Sequence, residues 1–172
     1  MLTKFKPNFY KPSIFEITPE FLQLHGIKGI ITDLDNTLVE WDRVQATENV
    51  VEWFENMKEH GIQIAIVSNN NEERVRAFAN PHGILFFHRA KKPSTIQFEK
   101  ATESFRLKRG EVCVIGDQLL TDIFGGNRFG AHTILVQPVA STDGFWTKFN
   151  RKIEKMIFYF LRKQGNLTWE EK

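Results

Sequence analysis

Short apolar runs alternate with stretches of helical periodicity along most of the chain. The apolar runs cover residues 28–32, 62–67, 84–87, 112–115 and 133–136. Helical spacing of apolar positions predicts helices over residues 46–60, 71–80, 93–107 and 118–129. Strands that are apolar throughout and alternate with helices are typical of a parallel sheet covered on both faces. The pattern therefore predicts an α/β fold with a Rossmann-like parallel sheet flanked by helices.

Polar side chains follow four of the five predicted strands. In chain order they are Asp33 and Asp35, then Ser68 and Asn69, then Lys92, then Asp117 with Asp122 five residues later. The carboxyl ends of parallel strands meet at one edge of a sheet, and ligands bind there in open α/β folds. We therefore expect these side chains to form one site.

The first two acids raise a question of charge. Asp33 and Asp35 point to the same side if the extended conformation continues, because side chains alternate along a strand. Two neighbouring carboxylates repel each other unless a cation or a proton lies between them. A metal site, a catalytic pair and a helix N-cap would each resolve the conflict.

Composition is that of an ordinary folded domain, but charge is unevenly distributed. The chain has 172 residues and a net charge of +2, and we expect a single domain over residues 1–172. Residues 1–15 carry +3, residues 144–172 carry +4, and the middle carries −5. An acidic middle suits a cation site, and basic ends suit an anionic surface.

The cysteine content and the length of the apolar runs indicate the cellular compartment. Cys113 is the single cysteine, so an internal disulfide is excluded. No apolar run reaches the length that spans a bilayer, and the start of the chain lacks the apolar core of a signal peptide. We expect a cytoplasmic protein, with peripheral membrane association through its basic ends as an added possibility.

The side chains at the strand ends suit the hydrolysis of a phosphate ester. Mg²⁺ accepts carboxylate ligands together with a phosphate oxygen, and Asp33 and Asp117 are natural ligands with Asp122 close by. A carboxylate can then attack phosphorus, while a second acid protonates the leaving group and later activates water. The Ser68 hydroxyl and a lysine would hold the phosphoryl oxygens.

These motifs resemble those of the haloacid dehalogenase (HAD) superfamily. The segment 33–38 reads DLDNTL, Ser68 follows a strand, Lys92 precedes Pro93, and 116–122 reads GDQLLTD. The resemblance implies Mg²⁺, Asp33 as nucleophile and Asp35 as acid and base. It also implies metal binding by Asp33, Asp117, Asp122 and the backbone carbonyl of Asp35, and substrate binding by Ser68, Asn69 and Lys92.

A narrower resemblance is to the YqeG-type branch, which is similar to mitochondrial and plastid phosphatidylglycerophosphate phosphatases. It rests on GIKG at 26–29, DNTLVEW at 35–41, SNN at 68–70, AKKP at 90–93 and GDQLLTDIFGGN at 116–127. This resemblance implies a lipid-linked phosphate as substrate. A soluble phosphate ester or a phosphoprotein is the alternative, and a non-catalytic HAD-fold binding protein is a third.

The spacing of the motifs indicates how accessible the site is, and the basic ends of the chain indicate what surface the protein binds. The gaps after Asp35 and after Ser68 are too short for a cap domain, so we expect an open site. Apolar residues recur at helical spacing in 144–164 among basic ones, which predicts an amphipathic C-terminal helix that packs either on the domain or on a membrane. No nucleic-acid motif accompanies the basic ends, and the sequence leaves the oligomeric state open.

Overall fold

The computed structural model describes residues 2–140 and Ile157, and its centre is a parallel sheet. Its strands are β1 (Phe9–Lys11), β2 (Gly29–Thr32), β3 (Gln63–Val67), β4 (Leu85–Phe87), β5 (Val112–Gly116) and β6 (His132–Val136). The sheet order is β1-β6-β5-β2-β3-β4, and every neighbouring pair is parallel. The predicted α/β class with a Rossmann-like sheet is confirmed.

Helices cover both faces of this sheet. They are α1 (Pro19–Leu24), α2 (Glu48–Glu59), α3 (Glu72–Ala79), α4 (Ile96–Phe105) and α5 (Phe124–Phe129). One apolar core lies between the sheet and α1, α2 and α3, and includes Leu22, Phe54 and Phe78. The other lies between the sheet and α4 and α5, and includes Phe98 and Phe129. The central strands β2 and β5 are buried on both faces, which is why their sequences are almost entirely apolar.

The order of the strands determines where a site can form. The chain runs outward from β2 through β3 to β4, and then returns to the opposite side of β2 with β5 and β6. The reversal lies between β2 and β5, at the edge formed by the carboxyl ends of the strands. In open α/β sheets such a reversal leaves a crevice for a ligand.

Two elements were absent from the sequence prediction. Strand β1 pairs with β6, with Phe9 opposite Ile134, and α1 begins after Thr18, whose side chain accepts a hydrogen bond from the backbone of Phe21. The predicted helix over 118–129 is also two elements, because Leu119–Ile123 is a π-helix that leads into α5. Its wider turn places the Asp122 side chain against Gly116 at the end of β5.

Short connections leave the carboxyl edge uncovered by any inserted domain. Residues 36–47, which we call the flap, form a turn closed by a bridge between Asp35 and Val39 and then lead directly into α2. Between β3 and β4 the chain forms α3 and a short 3₁₀ turn. As predicted, no cap domain is inserted in either of these fully described segments.

The predicted C-terminal amphipathic helix lies outside the described residues, apart from Ile157. That side chain is buried and belongs to an apolar cluster with Leu119, Ile123 and Leu135. At this one position the apolar side of the segment contacts the domain. Within the described part of the chain, none of the helices combines the length and the apolar character that crossing a membrane requires.

Candidate active site

A buried lysine joins two aspartates at the carboxyl edge of the sheet. Lys92 Nζ lies 2.7 Å from Asp33 Oδ1 and 2.7 Å from Asp122 Oδ1, and all three side chains are buried. Asp33 still belongs to the sheet ladder, since its N–H donates to the carbonyl of Ile115 on β5. The neighbouring Lys91 is exposed and makes no ion pair within residues 2–140, so Lys92 is the lysine that enters the site.

Three carboxylates meet at this site, and two of them pair with the lysine. Asp33, Asp117 and Asp122 each offer an oxygen within 4.8 Å of the others, and all are buried. Thr37 Oγ1 donates a hydrogen bond of 3.2 Å to Asp117 Oδ1, which ties the flap to this cluster. Because the cluster holds three carboxylates and one ammonium group, it has a charge of −2 when all four are ionised. Oxygen ligands and an uncompensated negative charge fit a divalent hard cation.

Burial and charge both change the proton affinity of this cluster. Burial raises the pKa of Asp122 to about 6, because it disfavours the carboxylate form more than the Lys92 ammonium favours it. Burial alone would lower the pKa of Lys92, but the carboxylates of Asp122 and Asp33 more than offset it and raise the pKa instead. Lys92 is therefore a permanent cation at neutral pH.

The loop after β3 supports this lysine and presents a hydroxyl group. Asn69 Oδ1 accepts a 2.7 Å hydrogen bond from the Lys92 backbone N–H, and its Nδ2 donates to the Lys92 carbonyl at 3.4 Å. Ser68 is buried, and its Oγ accepts a hydrogen bond from the backbone N–H of Asn70. The Asn69 amide thus holds the Lys92 backbone, while the Ser68 hydroxyl keeps a proton to donate.

Asp33 and Asp35 are held by different partners. Asp35 Oδ1 accepts hydrogen bonds from Arg74 Nη2 at 2.9 Å and Nε at 3.2 Å, and Oδ2 accepts one from Asn70 Nδ2 at 3.0 Å. The pKa of Asp35 is raised, first by burial and then by the negative charge of Asp33, against the opposing effect of Asn70 and Arg74. The raised pKa makes Asp35 more readily protonated than an ordinary aspartic acid.

All of the residues predicted to form the site lie at this edge. The sequence analysis missed three further residues whose side chains hydrogen-bond to its aspartates. They are Thr37, Asn70 and Arg74. Thr37 and Asn70 stand inside the motifs and were given no individual role. Arg74 had a usable signal, because a cation in the first turn of α3 opposes the helix dipole. A residue that breaks a local preference is a candidate for function.

Comparison with known proteins agrees with the α/β fold described above. Residues 8–130 match the model of the haloacid dehalogenase-like hydrolase family, which is more than half of the chain. This protein belongs to the haloacid dehalogenase-like hydrolase family. Two curated relatives carry phosphatase names, and this protein is an enzyme of the HAD phosphatase class.

Two curated relatives narrow the comparison. The chain is 57% identical over 172 residues to a Bacillus subtilis protein named "Probable phosphatase YqeG", with 99% of this chain and 100% of the relative covered. It is 30% identical over 156 residues to phosphatidylglycerophosphate phosphatase 1 of Arabidopsis thaliana, a chloroplast and mitochondrial protein. That match covers 84% of this chain and 44% of the relative.

Solved structures share the fold at low sequence identity. An uncharacterized protein from Listeria monocytogenes superposes with a TM-score of 0.56 at 21% identity, covering 69% of this chain and 84% of that one. The cobalt-bound deoxy-D-mannose-octulosonate 8-phosphate phosphatase of Haemophilus influenzae gives a TM-score of 0.54 at 19% identity, covering 83% and 88%. At these identities the likeness supports the fold alone.

Proposed function

We propose that the protein hydrolyses phosphate monoesters through a covalent aspartyl-phosphate on Asp33, with Mg²⁺ as cofactor. The observation that best supports this is the buried cluster in which Lys92 Nζ lies 2.7 Å from both Asp33 and Asp122, next to Asp117. A carboxylate held beside a lysine and a cation site can approach a phosphate dianion without strong repulsion.

The first half-reaction transfers the phosphoryl group to Asp33. A carboxylate oxygen of Asp33 forms a bond to phosphorus as the bond from phosphorus to the ester oxygen breaks. The electron pair of that bond stays on the ester oxygen, which takes a proton from Asp35 and leaves as an alcohol. The Lys92 ammonium and the Ser68 hydroxyl stabilise the phosphoryl oxygens.

The second half-reaction restores the enzyme. Water attacks phosphorus and gives a proton to the Asp35 carboxylate, and the bond between phosphorus and the Asp33 oxygen breaks. Inorganic phosphate leaves, Asp33 is a carboxylate again, and Asp35 is protonated as at the start. One residue thus serves as acid and then as base, which agrees with its raised pKa.

Mg²⁺ is proposed as the resident cation. The carboxylates of Asp33, Asp117 and Asp122 fit its preference for oxygen ligands, with the Asp35 backbone carbonyl as a further ligand. When bound, Mg²⁺ supplies positive charge that neutralises the phosphoryl oxygens. Both oxygens of Asp122 also have protein partners, Lys92 Nζ and the Gln118 N–H, so it is either a ligand or a support for Lys92.

For the substrate we propose phosphatidylglycerophosphate. The Arabidopsis relative named for that activity is 30% identical over 84% of this chain, and no cap domain is inserted over the site within residues 2–140. The flap beside it exposes two large apolar side chains, Trp41 at 45% and Val44 at 59%. An uncapped site with apolar residues at its rim suits a head group that remains attached to a membrane.

A soluble phosphate ester or a phosphoprotein is the second candidate. It is favoured by Ile157, which is buried against the domain and is therefore not available to a membrane. Such a substrate would need the same chemistry at Asp33 and Asp35, so the two candidates differ only in what surrounds the phosphate.

Two measurements test the proposal. Asp33→Asn should abolish both the acid-stable phosphoenzyme signal and hydrolysis, because the nucleophile is gone, and a variant with full hydrolysis of p-nitrophenyl phosphate would refute the mechanism. Purified enzyme with Mg²⁺ and detergent should release phosphate from phosphatidylglycerophosphate with a higher kcat/KM than from soluble sugar phosphates, nucleotides or phosphopeptides. A preference for one of the soluble esters would select the second candidate.

A further inference from the structure

Every oxygen of the Asp35 carboxyl group is held by a side chain from the start of α3 or the loop before it. Arg74 donates two hydrogen bonds to Oδ1, and Asn70 donates one to Oδ2. The ion pair is largely shielded, since the Arg74 side chain is 13% exposed and the Asp35 side chain 21%. The carboxyl group is therefore oriented before any substrate arrives.

Arg74 is itself fixed at its backbone and along its side chain. Its N–H donates to Oδ1 of Asn71, the N-cap of α3, at 2.9 Å. Its guanidinium group lies over the ring of Phe78, 5.9 Å from the ring centroid. A guanidinium held in this way adds orientation at little entropic cost when the substrate binds.

The same guanidinium also contacts the flap. Arg74 Nη1 donates to the carbonyl of Val44 at 3.4 Å, near the C-terminal end of the flap. The flap begins at Asn36, directly after Asp35, so one side chain connects the acid with the far end of the segment that follows it. Arg74 therefore bridges Asp35 and the flap by hydrogen bonds.

The chemistry of arginine fits a positioning role. A guanidinium group has no acceptor and is always charged, so Arg74 cannot take the proton that Asp35 must deliver. Both of its hydrogen bonds to Asp35 go to Oδ1, which leaves Oδ2, supported by Asn70, as the oxygen to carry the proton. The arrangement therefore selects one oxygen of Asp35 for proton transfer.

We propose that Arg74 is a positioning residue that aims the Asp35 carboxyl group at the ester oxygen of the substrate, and that its effect is largest for esters with a poor leaving group. This inference rests on the proposed function. The Asp35 proton passes to the ester oxygen as the P–O bond breaks and its electron pair stays on that oxygen. An alkoxide needs this proton, whereas p-nitrophenolate is a stable anion that needs it much less.

The test compares leaving groups across matched arginine variants. The enzyme, R74Q and R76Q are assayed with Mg²⁺ against p-nitrophenyl phosphate, phenyl phosphate and glycerol 3-phosphate, and kcat/KM is measured because it excludes the later hydrolysis of the phosphoenzyme. R76Q is the control, since Arg76 lies two residues further along α3 and pairs with Glu72 at the surface. R74Q should lower kcat/KM for glycerol 3-phosphate at least about tenfold more than for p-nitrophenyl phosphate. R76Q should leave the ratio of kcat/KM between glycerol 3-phosphate and p-nitrophenyl phosphate as it is in the unmodified enzyme.

Further variants separate a positioning role from a general structural one. R74K should not restore the ratio, because an ammonium group cannot reproduce the two-pronged contact, and full rescue by lysine would overturn the proposal. In the Asp35→Asn background, R74Q should cause no further change in the ratio if Arg74 acts through Asp35. Equal losses on all three esters, or no loss, would overturn the proposal even if R74Q is less stable to heat.

The failure of this inference can be told apart from failure of the proposed function. If the unmodified enzyme turns over all three esters and Asp33→Asn does not, the proposed mechanism stands whatever R74Q does. If R74Q then leaves the ratio of kcat/KM between glycerol 3-phosphate and p-nitrophenyl phosphate unchanged, only the positioning role of Arg74 is rejected. If Asp33→Asn retains activity, the mechanism itself is wrong and the roles of both Asp35 and Arg74 fall with it.

Discussion

At the scale of single residues, the position of Asp122 depends on the absence of a side chain at Gly116. A Cβ built on Gly116 would lie 2.3 Å from the carboxyl group of Asp122, far inside van der Waals contact. Asp122 is completely buried and accepts a hydrogen bond from the Gln118 N–H, so it has no open space into which to move. Glycine at the end of β5 is thus part of how Asp122 reaches Lys92.

Gly116→Ala should therefore displace Asp122 and disturb the contact with Lys92. We expect kcat/KM for p-nitrophenyl phosphate to fall on the order of a hundredfold, because small misplacements of catalytic groups are costly. The free energy of unfolding should fall by about 1–3 kcal/mol, as for other overpacked buried sites. Gly110→Ala is the control, since a Cβ there would meet nothing within 4 Å. Full activity in Gly116→Ala would contradict the role assigned to this contact.

The residues of the site were predictable to different degrees for a physical reason. Asp33, Ser68 and Asp117 follow apolar strands directly, so their place at one edge follows from the parallel sheet. Arg74 enters through a long side chain on a helix, and its target at Asp35 depends on how α3 packs against the flap. Such a contact depends on tertiary packing and leaves only a weak signal in the local sequence.

At the scale of elements, the N-cap residue of α3 both caps the helix and anchors the backbone of Arg74. Asn71 Oδ1 accepts a hydrogen bond from the N–H of Arg74, the residue that holds Asp35. Helix α2 is capped in the same manner, since the Thr47 side chain accepts from the N–H of Val50, but Val50 is an apolar core residue. The two caps should therefore have similar effects on stability and different effects on activity.

Removing each cap by alanine substitution tests this difference. Asn71→Ala and Thr47→Ala should each lower the free energy of unfolding by about 1 kcal/mol, the usual effect of losing a side-chain cap. Asn71→Ala should also lower kcat/KM for glycerol 3-phosphate several-fold, because Arg74 loses its backbone anchor. Denaturant titration and steady-state kinetics on both variants provide the measurement. Equal kinetic losses in the two variants would argue against a link between the α3 cap and Asp35.

Sequence periodicity located most elements and missed the ones with the weakest local signal. The five predicted strands and four predicted helices all exist in some form, because each has an apolar run or an apolar face in the core. Strand β1 has three residues and gains its order from pairing with β6. The π-helix at Leu119–Ile123 follows the same apolar spacing as an α-helix would over so few residues, so the pattern could not separate them.

At the scale of the whole molecule, the acidic middle of the chain contains the buried cluster where the cation is proposed to bind. Three buried carboxylates lie together with a single lysine, and their mutual repulsion opposes folding until a cation is present. Binding of Mg²⁺ should therefore stabilise the folded protein as well as enable turnover.

Removal of metal ions tests this link between binding and stability. Excess chelator should abolish hydrolysis and lower the unfolding temperature, and added Mg²⁺ should restore both. At a hundredfold excess over its dissociation constant, a ligand of the folded state adds about 2.7 kcal/mol. Ca²⁺ should support turnover poorly, because it prefers a larger and looser coordination shell. Full activity in chelator would contradict the proposed cofactor.

The basic ends of the chain give a prediction about membranes. Lys152 and Lys155 belong to the basic segment 144–172, and each cation near an anionic bilayer contributes on the order of 1 kcal/mol. We expect the protein to sediment with anionic liposomes at low salt and to be released as salt rises, because surface charge is then screened. K152Q/K155Q should weaken this binding and the turnover of phosphatidylglycerophosphate.

A matched pair of lysines controls for net charge in that experiment. K100Q/K108Q removes the same charge from two exposed positions in the described part of the chain, and it should leave liposome binding unchanged. Hydrolysis of p-nitrophenyl phosphate should be the same in both double variants. A protein that ignores anionic liposomes at low salt would favour the soluble substrate.

The pairing of β1 with β6 has a consequence for synthesis on the ribosome. Asn8 and Thr133 exchange hydrogen bonds although 125 residues separate them, and β1 has β6 as its one neighbour in the described sheet. Among the described strands, the first to be translated is thus the last to gain its partner. The proposed site combines Asp33, which follows β2, with Asp117, which follows β5. We therefore expect a nascent chain that ends before β5 to have no assembled site and no enzymatic activity. The residues of the site are therefore complete once Asp122 has been translated, whereas β1 gains its partner only later, when β6 follows.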